Sequence, residues 1–330
     1  MRSSACSERF VMWFLIAQQY ARYIPLFGTI FAFFGTIFLM KAVAPKLPHD
    51  QGRAFAVEGS LSKGKVRGVG LVFVLVYALT VLLFDELSAE KMVYLFVIVA
   101  TMFTGFFDDA SEKPWNEYVK GALDLILALI VAVTYLYRHG SYFRVLPGVI
   151  DDAIHIPVWL AAILIVALVW TSINVTNCTD GVDGLSATLT IITLGSFLIG
   201  SELQGYPYNT PFTAYFLVVL SAYLWYNANP STMLMGDAGS RAMGMMIAII
   251  ALLSEYPLMF IPYALVMILD GGLGLLKVAL LRFLKIRILT NTRCPLHDQA
   301  RKVNGWSNTQ VVFRFALIQF AICVFFLWLY

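Results

Sequence analysis

Apolar runs of membrane-spanning length recur along the whole chain, and that recurrence limits the fold more than any single motif does. Stretches such as LVFVLVYALTVLLF (71–84) and FLVVLSAYLW (216–225) are continuous, without the period-two polarity of a barrel strand. A helix satisfies its own backbone polar groups inside a bilayer, so helices are the natural solution for such runs. Reading for segments of roughly 17 to 25 apolar residues gives ten candidate spans, at 24–43, 67–84, 92–107, 121–137, 157–175, 185–201, 209–227, 240–255, 257–281 and 308–330. The composition agrees, with 60% hydrophobic and 13% charged residues, against about a quarter charged in a soluble domain. The chain reads as an all-α, polytopic membrane protein with one integral membrane domain over 1–330.

The net charge of +3 is too small to mark a nucleic-acid surface, and no nucleic-acid partner is expected. Cys6, Cys178, Cys294 and Cys323 form no CxxC pair, so neither a disulfide framework nor a zinc site is read from them. The N-terminal stretch lacks a small-residue cleavage site before further apolar sequence and is expected to be retained.

Ten spans place both termini on one side, and the Lys/Arg count decides which side is cytoplasmic. Loops after the odd-numbered spans hold fourteen basic residues, from Lys41 to Lys302, against six on the other side including the N-terminal segment. Both termini are therefore expected outside. The acids, not used in that count, sort with it: Asp108, Asp109, Asp180, Asp183 and Asp237 all fall on the cytoplasmic face. The pair Asp151-Asp152 falls on the opposite face and reads as solvated loop charge.

Four segments on that face carry polar chemistry. FTGFFDDASEKPWNEYVK (103–120) ends an apolar helix with two adjacent carboxylates, which repel and so require a divalent cation or lysine partners; an interfacial helix end with snorkelling lysines is the alternative. NVTNCTDGVDGLS (174–186) pairs Asn174 with Asn177 and Asp180 with Asp183 around two glycines. It lacks the ligand spacing of an EF-hand, and its backbone and side-chain amides are free to meet a polar ligand, with turn and N-cap chemistry as the alternative. YNANPSTMLMGDAGSRAMG (226–244) sets Asp237 near a helix start, where amides of Ala238, Gly239 and Ser240 could meet phosphate while Asp237 holds Mg2+. RCPLHDQARKVNGWSNTQVVFRF (293–315) puts His297 among basic residues suited to phosphate. The active site is therefore expected on loops 41–67, 108–120, 174–184, 227–240 and 282–307.

These motifs, in this order over about 63–320, resemble the phospho-N-acetylmuramoyl-pentapeptide transferase family. It lies among the polyprenyl-phosphate N-acetylhexosamine-1-phosphate transferases. The resemblance implies transfer of phospho-N-acetylmuramoyl-pentapeptide from its UDP carrier to undecaprenyl phosphate. Lipid I and UMP are the implied products, in peptidoglycan synthesis at a bacterial plasma membrane, with Mg2+ required and a homodimer expected. By motif position Asp108 and Asp109 match the family's DD pair, and Lys120 the lysine after it. Asn174, Asn177, Asp180 and Asp183 match NxxNxTDGxDGL, and Asn227 the asparagine ten residues before Asp237, the metal-binding aspartate. Lys63 in SKGKVRGVG matches the lysine of a KGTPTMGG-like stretch. The resemblance thus implies catalytic roles for Asp108, Asp109, Asp237 and His297, with Lys63, Lys120, Asn174, Asn177, Asp180, Asp183 and Asn227 binding substrate.

The chain also departs from that pattern. The threonines and proline after Lys63 are absent, Lys113 follows the DD pair one place late, and only the first of three histidines is kept, as His297-Asp298-Gln299. Leu234 stands where an aromatic often stacks on uracil. A sister activity moving N-acetylglucosamine-1-phosphate would keep the same acids. A secondary transporter would place acids near the midplane on broken helices, and only Asp270 in ILDGGLGLL fits that pattern.

Overall fold

A computed structural model describes residues 23–50, 52, 62–111, 115–150, 152–205 and 210–330. Each of the ten apolar stretches is helical: α1 Ile24–Val43, α2 Gly70–Phe84, α3 Ala89–Ala110, α4 Glu117–His139, α5 Val158–Thr179, α6 Leu185–Leu203, α7 Thr210–Asn227, α8 Gly236–Leu253, a broken pair α9–α10, and α12 Asn308–Leu327. The short α11 (Leu296–Lys302) lies between α10 and α12. Among the described residues, seven helices are long and apolar enough to cross a membrane, or eight if the bent pair is one span. That pair, α9 (Pro257–Tyr263) and α10 (Leu265–Leu284), is bent by 69°, and α10 carries π-helical turns at Ile268–Gly272 and Leu280–Leu284.

Helix starts follow local capping chemistry. Ser88 Oγ accepts the Lys91 amide and begins α3, Asn116 accepts the Tyr118 amide and begins α4, and Ser307 with Gln310 forms a capping box before α12. Several helix boundaries differ from the hydropathy reading, and two of them bear on the site acids. Helix α3 runs on to Ala110, so Asp108 and Asp109 belong to its last turn, and α8 starts at Gly236, so Asp237 lies in its first turn. Hydropathy cannot see these turns because they are polar.

The all-α expectation also needs a small correction. Val66–Arg67 (β1) pairs in parallel with Met233–Leu234 (β4), and Tyr142–Phe143 (β2) pairs antiparallel with Ile154–His155 (β3). Two-residue ladders carry no periodicity that a sequence could display.

Helix α8 is the axis of the bundle. Its apolar window is 89% buried, whereas that of α12 is 17% buried and faces outward. It packs most extensively against α3 and α5. Small residues permit these close crossings: a Cβ on Gly105 would lie 2.3 Å from the Asp237 carbonyl oxygen, and one on Gly244 would lie 2.5 Å from the Ile173 Cα. The one arginine inside α8, Arg241, is 6% exposed and ion-pairs with buried Asp124 of α4. A charge at that depth persists only with such a partner.

Polar segments then gather at the two ends of the bundle. Asp108, Lys120 and Asp237 lie at one end. Glu90 meets His139 at 2.7 Å and Arg144 meets Glu255 at 3.2 Å at the other.

Gly105→Ala should therefore force α3 away from α8 and cost about 1–3 kcal/mol, seen as a lower unfolding temperature in detergent. Gly121→Ala, whose added methyl would meet nothing within 4 Å, should leave that temperature unchanged or raise it. Equal behaviour of the two variants would contradict the tight α3–α8 crossing.

Candidate active site

The site is organised at the start of α8. Gly236 has φ of +66°, a conformation that favours glycine, and a Cβ there would sit 2.1 Å from Asp109 Oδ2. This gap lets Asp109, from the end of α3, reach the helix start. Its Oδ2 accepts the Asp237 amide at 2.7 Å. Its Oδ1 accepts from Arg67 Nη2 at 2.6 Å. A carboxylate at a helix N-terminus satisfies orphan amides and complements the dipole.

Arg67 reaches that point because β1 lies beside β4, with Arg67 opposite Leu234, and because its own amide donates to the Pro48 carbonyl at 2.8 Å. The guanidinium stands among three carboxylates: Asp109, then Asp50 and Asp237 each at 3.8 Å. Burial alone would lower its pKa, but the fields of Asp109, Asp237, Asp50 and Asp180 outweigh burial and hold it above its usual value. Sequence reading used Arg67 only as a topology charge. The signal available was its place in a glycine-rich stretch on the same face as the five acids.

A cavity of about 540 Å³ opens beside this cluster, within the size range of small-ligand sites. Asp50, Asp180, Asp183 and Asp298 line it together with Lys65, Arg67, Arg301 and His297. Lys65 Nζ binds Asp183 at 3.2 Å and Ser231 Oγ at 2.9 Å, and the Ser231 amide donates to Asp183 at 3.0 Å. Asn177 lines the same wall and donates to Ser240 Oγ at 2.9 Å. Asn227 also lines it, while clamping two loops: its Oδ1 accepts the Gly184 amide and its Nδ2 donates to the Met233 carbonyl, each at 2.9 Å.

His297 enters from α11 and is held by Asp270, on the π-helical turn of α10. Asp270 is fully buried; its Oδ1 accepts the His297 amide at 2.7 Å and its Oδ2 pairs with Nδ1 at 2.8 Å. An ionised carboxylate can only accept, so Nδ1 is the donor and Nε2 is the ring nitrogen left for other partners. A Cβ on Gly181 would lie 2.3 Å from that Nε2, so the glycine of TDG admits the ring. Asp270 is thus a partner of His297, which removes the observation that pointed to a transporter.

Of the remaining sequence candidates, Asp108, Lys120 and Asp237 are not among the residues that line the cavity. Asp108 ion-pairs with Lys120 and accepts the Trp115 amide at 2.7 Å, so both its oxygens are engaged. Asn174 donates to the Trp170 carbonyl of its own helix at 2.8 Å, and Lys63 is exposed on the turn before Lys65; neither lines the cavity. Lys113 and Arg53 lie outside the described residues. No aromatic side chain lines the cavity among the described residues, and Leu234 forms part of its wall.

The donor set admits one kind of metal site. Among the described residues no three His, Cys, Asp or Glu side chains gather into a metal cage. Asp108 and Asp109 have their oxygens engaged, whereas among the described residues Asp237, with its side chain 20% exposed, has only Arg67 at 3.8 Å. One available hard carboxylate fits Mg2+ of the kind completed by water and substrate phosphates.

Residues 91–255 match the family model described as glycosyl transferase family 4. A phospho-N-acetylmuramoyl-pentapeptide-transferase of Treponema pallidum (strain Nichols) is 38% identical over 328 residues, spanning 93% of this chain and 89% of the relative. The chain belongs to the phospho-N-acetylmuramoyl-pentapeptide-transferase family. Relatives of the same name from Helicobacter pylori (strain ATCC 700392 / 26695) and Clostridium perfringens (strain SM101 / Type A) are 27% and 29% identical. They cover 91% and 82% of this chain, and 92% and 86% of their own lengths. With its apolar helices, this member of the family is a multi-pass membrane transferase.

The loop clamp makes a prediction independent of any substrate. Asn227→Ala strands the Gly184 amide and the Met233 carbonyl, which should cost about 1–3 kcal/mol and lower the unfolding temperature in detergent. An unchanged temperature would mean that the clamp is dispensable.

Proposed function

We propose that this protein transfers phospho-N-acetylmuramoyl-pentapeptide from its UDP carrier to undecaprenyl phosphate, releasing UMP and forming lipid I. The observation that carries this reading is the convergence of residues from 50–67, 177–183, 227–236 and 295–308, remote in sequence, on one cavity walled by charges of both signs. A nucleotide sugar needs such a wall, with anion-binding cations for its diphosphate and carboxylates and amides for its hydroxyls and base. The muramoyl substrate is favoured over N-acetylglucosamine because the 38%-identical relative carries that name. The excess of basic loop residues at this end assigns it to the cytoplasm, where nucleotide sugars arrive.

In the proposed reaction a phosphate oxygen of the lipid attacks the β-phosphorus of the nucleotide, and the bond from that phosphorus to the oxygen bridging to the α-phosphate breaks as UMP departs. Asp237 would hold Mg2+, whose contribution when bound is to neutralise charge developing on the leaving phosphate. Asp109 fixes the backbone of Asp237 through its amide. Asp108 holds Lys120 for the lipid phosphate. With both oxygens engaged, Asp108 is poorly placed to attack phosphorus, which favours direct displacement over a covalent intermediate. Asn177, Asp180 and Asp183 would contact the nucleotide and Asn227 would keep their loop in place. His297, oriented by Asp270, would present Nε2 to the substrate, as an acceptor in the neutral ring and as a donor to an anion when the ring is protonated. Lys63 and Asn174 are assigned outer substrate contacts.

The test is UMP release by detergent-purified protein given undecaprenyl phosphate, Mg2+ and either UDP-N-acetylmuramoyl-pentapeptide or UDP-N-acetylglucosamine, with an EDTA control. Release only with the muramoyl substrate, lost in EDTA, is expected. Asp237→Asn should fall at least 100-fold in turnover with an unchanged unfolding temperature. Activity within a few-fold of wild type in that variant would remove Asp237 as the metal ligand, and turnover only of the N-acetylglucosamine substrate would overturn the substrate assignment.

A further inference from the structure

The guanidinium of Arg67 has more donors than it uses. Among the described residues, its one hydrogen bond runs from Nη2 to Asp109. Asp50 and Asp237 stand at 3.8 Å, close enough for attraction but beyond hydrogen-bond distance. A guanidinium carries five N–H donors in a fixed fork, so Nη1 and Nε are left available in a group that lines the cavity. Nor is Asp109 a dedicated counter-charge, since its other oxygen is committed to the Asp237 amide at the start of α8. Backbone pairing on both sides, to Pro48 and to β4, fixes where the side chain starts. A pinned, partly buried guanidinium with free donors facing a cavity matches the geometry of phosphate oxygens.

We infer that Arg67 is a resident cation that binds a phosphate oxyanion of the reactants directly, without a metal ion. This inference rests on the phosphosugar-transferase reading and adds to it a residue that neither its motifs nor its metal requirement supplies. Two reactants offer the same chemistry, the diphosphate of the nucleotide and the phosphomonoester of the lipid. The cavity beside Arg67, walled by Asp180, Asp183 and Asn177, favours the nucleotide.

The experiment measures binding of UDP, uridine and a short polyprenyl phosphate to the full chain in detergent with EDTA, for wild type, Arg67→Thr and Arg67→Lys. Loss of one charge-assisted contact should weaken UDP about 10- to 100-fold in Arg67→Thr, with partial recovery in Arg67→Lys. Uridine affinity should be unchanged, since it lacks phosphate; this readout separates anion binding from a general loosening of the site. Weakening of the polyprenyl phosphate alone would support the inference and locate the oxyanion on the lipid. Equal UDP and polyprenyl phosphate affinities in wild type and Arg67→Thr would overturn it, as would parallel loss of uridine and UDP. Turnover of the muramoyl substrate by wild type with Mg2+ is scored separately, so the inference can fail while the transferase reading stands.

Discussion

The carboxylate of Asp109 is the contact on which the functional end of this protein depends. It joins three parts of the chain that share no sequence neighbourhood: the last turn of α3, the first turn of α8, and the short strand that carries Arg67. Its side chain is only 2% exposed, and a buried carboxylate in that setting persists because an amide donor and a guanidinium meet both oxygens. Removing either side would leave a buried charge uncompensated, so Asp109, Arg67 and the start of α8 form one unit. Asp237 is fixed in position because the start of α8 is held by Asp109.

This arrangement divides labour between two adjacent acids. Asp109 is saturated by the protein and serves to hold Asp237 in place, while Asp108 is committed to Lys120 and Trp115. Asp237, lightly contacted, is the carboxylate left for chemistry. The same logic recurs across the cavity, where buried Asp270 uses both oxygens to orient His297 and leaves Nε2 facing Gly181. In each case a carboxylate with both oxygens engaged fixes a group to which the proposed function gives a role.

Much of the fold was legible because its main determinant is local: every apolar run of spanning length is a helix, and capping residues such as Ser88, Asn116 and Ser307 mark starts in the sequence. The site acids were legible by a second route, their convergence on one face once topology was assigned. What stayed hidden depends on contacts remote in sequence. The β1–β4 ladder joins residues more than 160 positions apart, and no local pattern marks two-residue strands. Arg67 looked like one more loop charge, and Asp270 looked like an isolated intramembrane acid until α11 brought His297 to it. Four of the residues that depart from the family pattern, Leu234, Asp298, Lys65 and Arg67, lie on the cavity wall, whereas Gln299 lies off it and accepts the Arg293 amide.

The most direct test of this account is an electron cryo-microscopy structure of the protein with UDP-N-acetylmuramoyl-pentapeptide and Mg2+. The account predicts the diphosphate in the cavity between Asp237 and Arg67, with Asp109 still bound to the first turn of α8. A nucleotide seated at the opposite end of the bundle, beside Glu90 and His139, or a diphosphate contacting neither Asp237 nor Arg67, would contradict it.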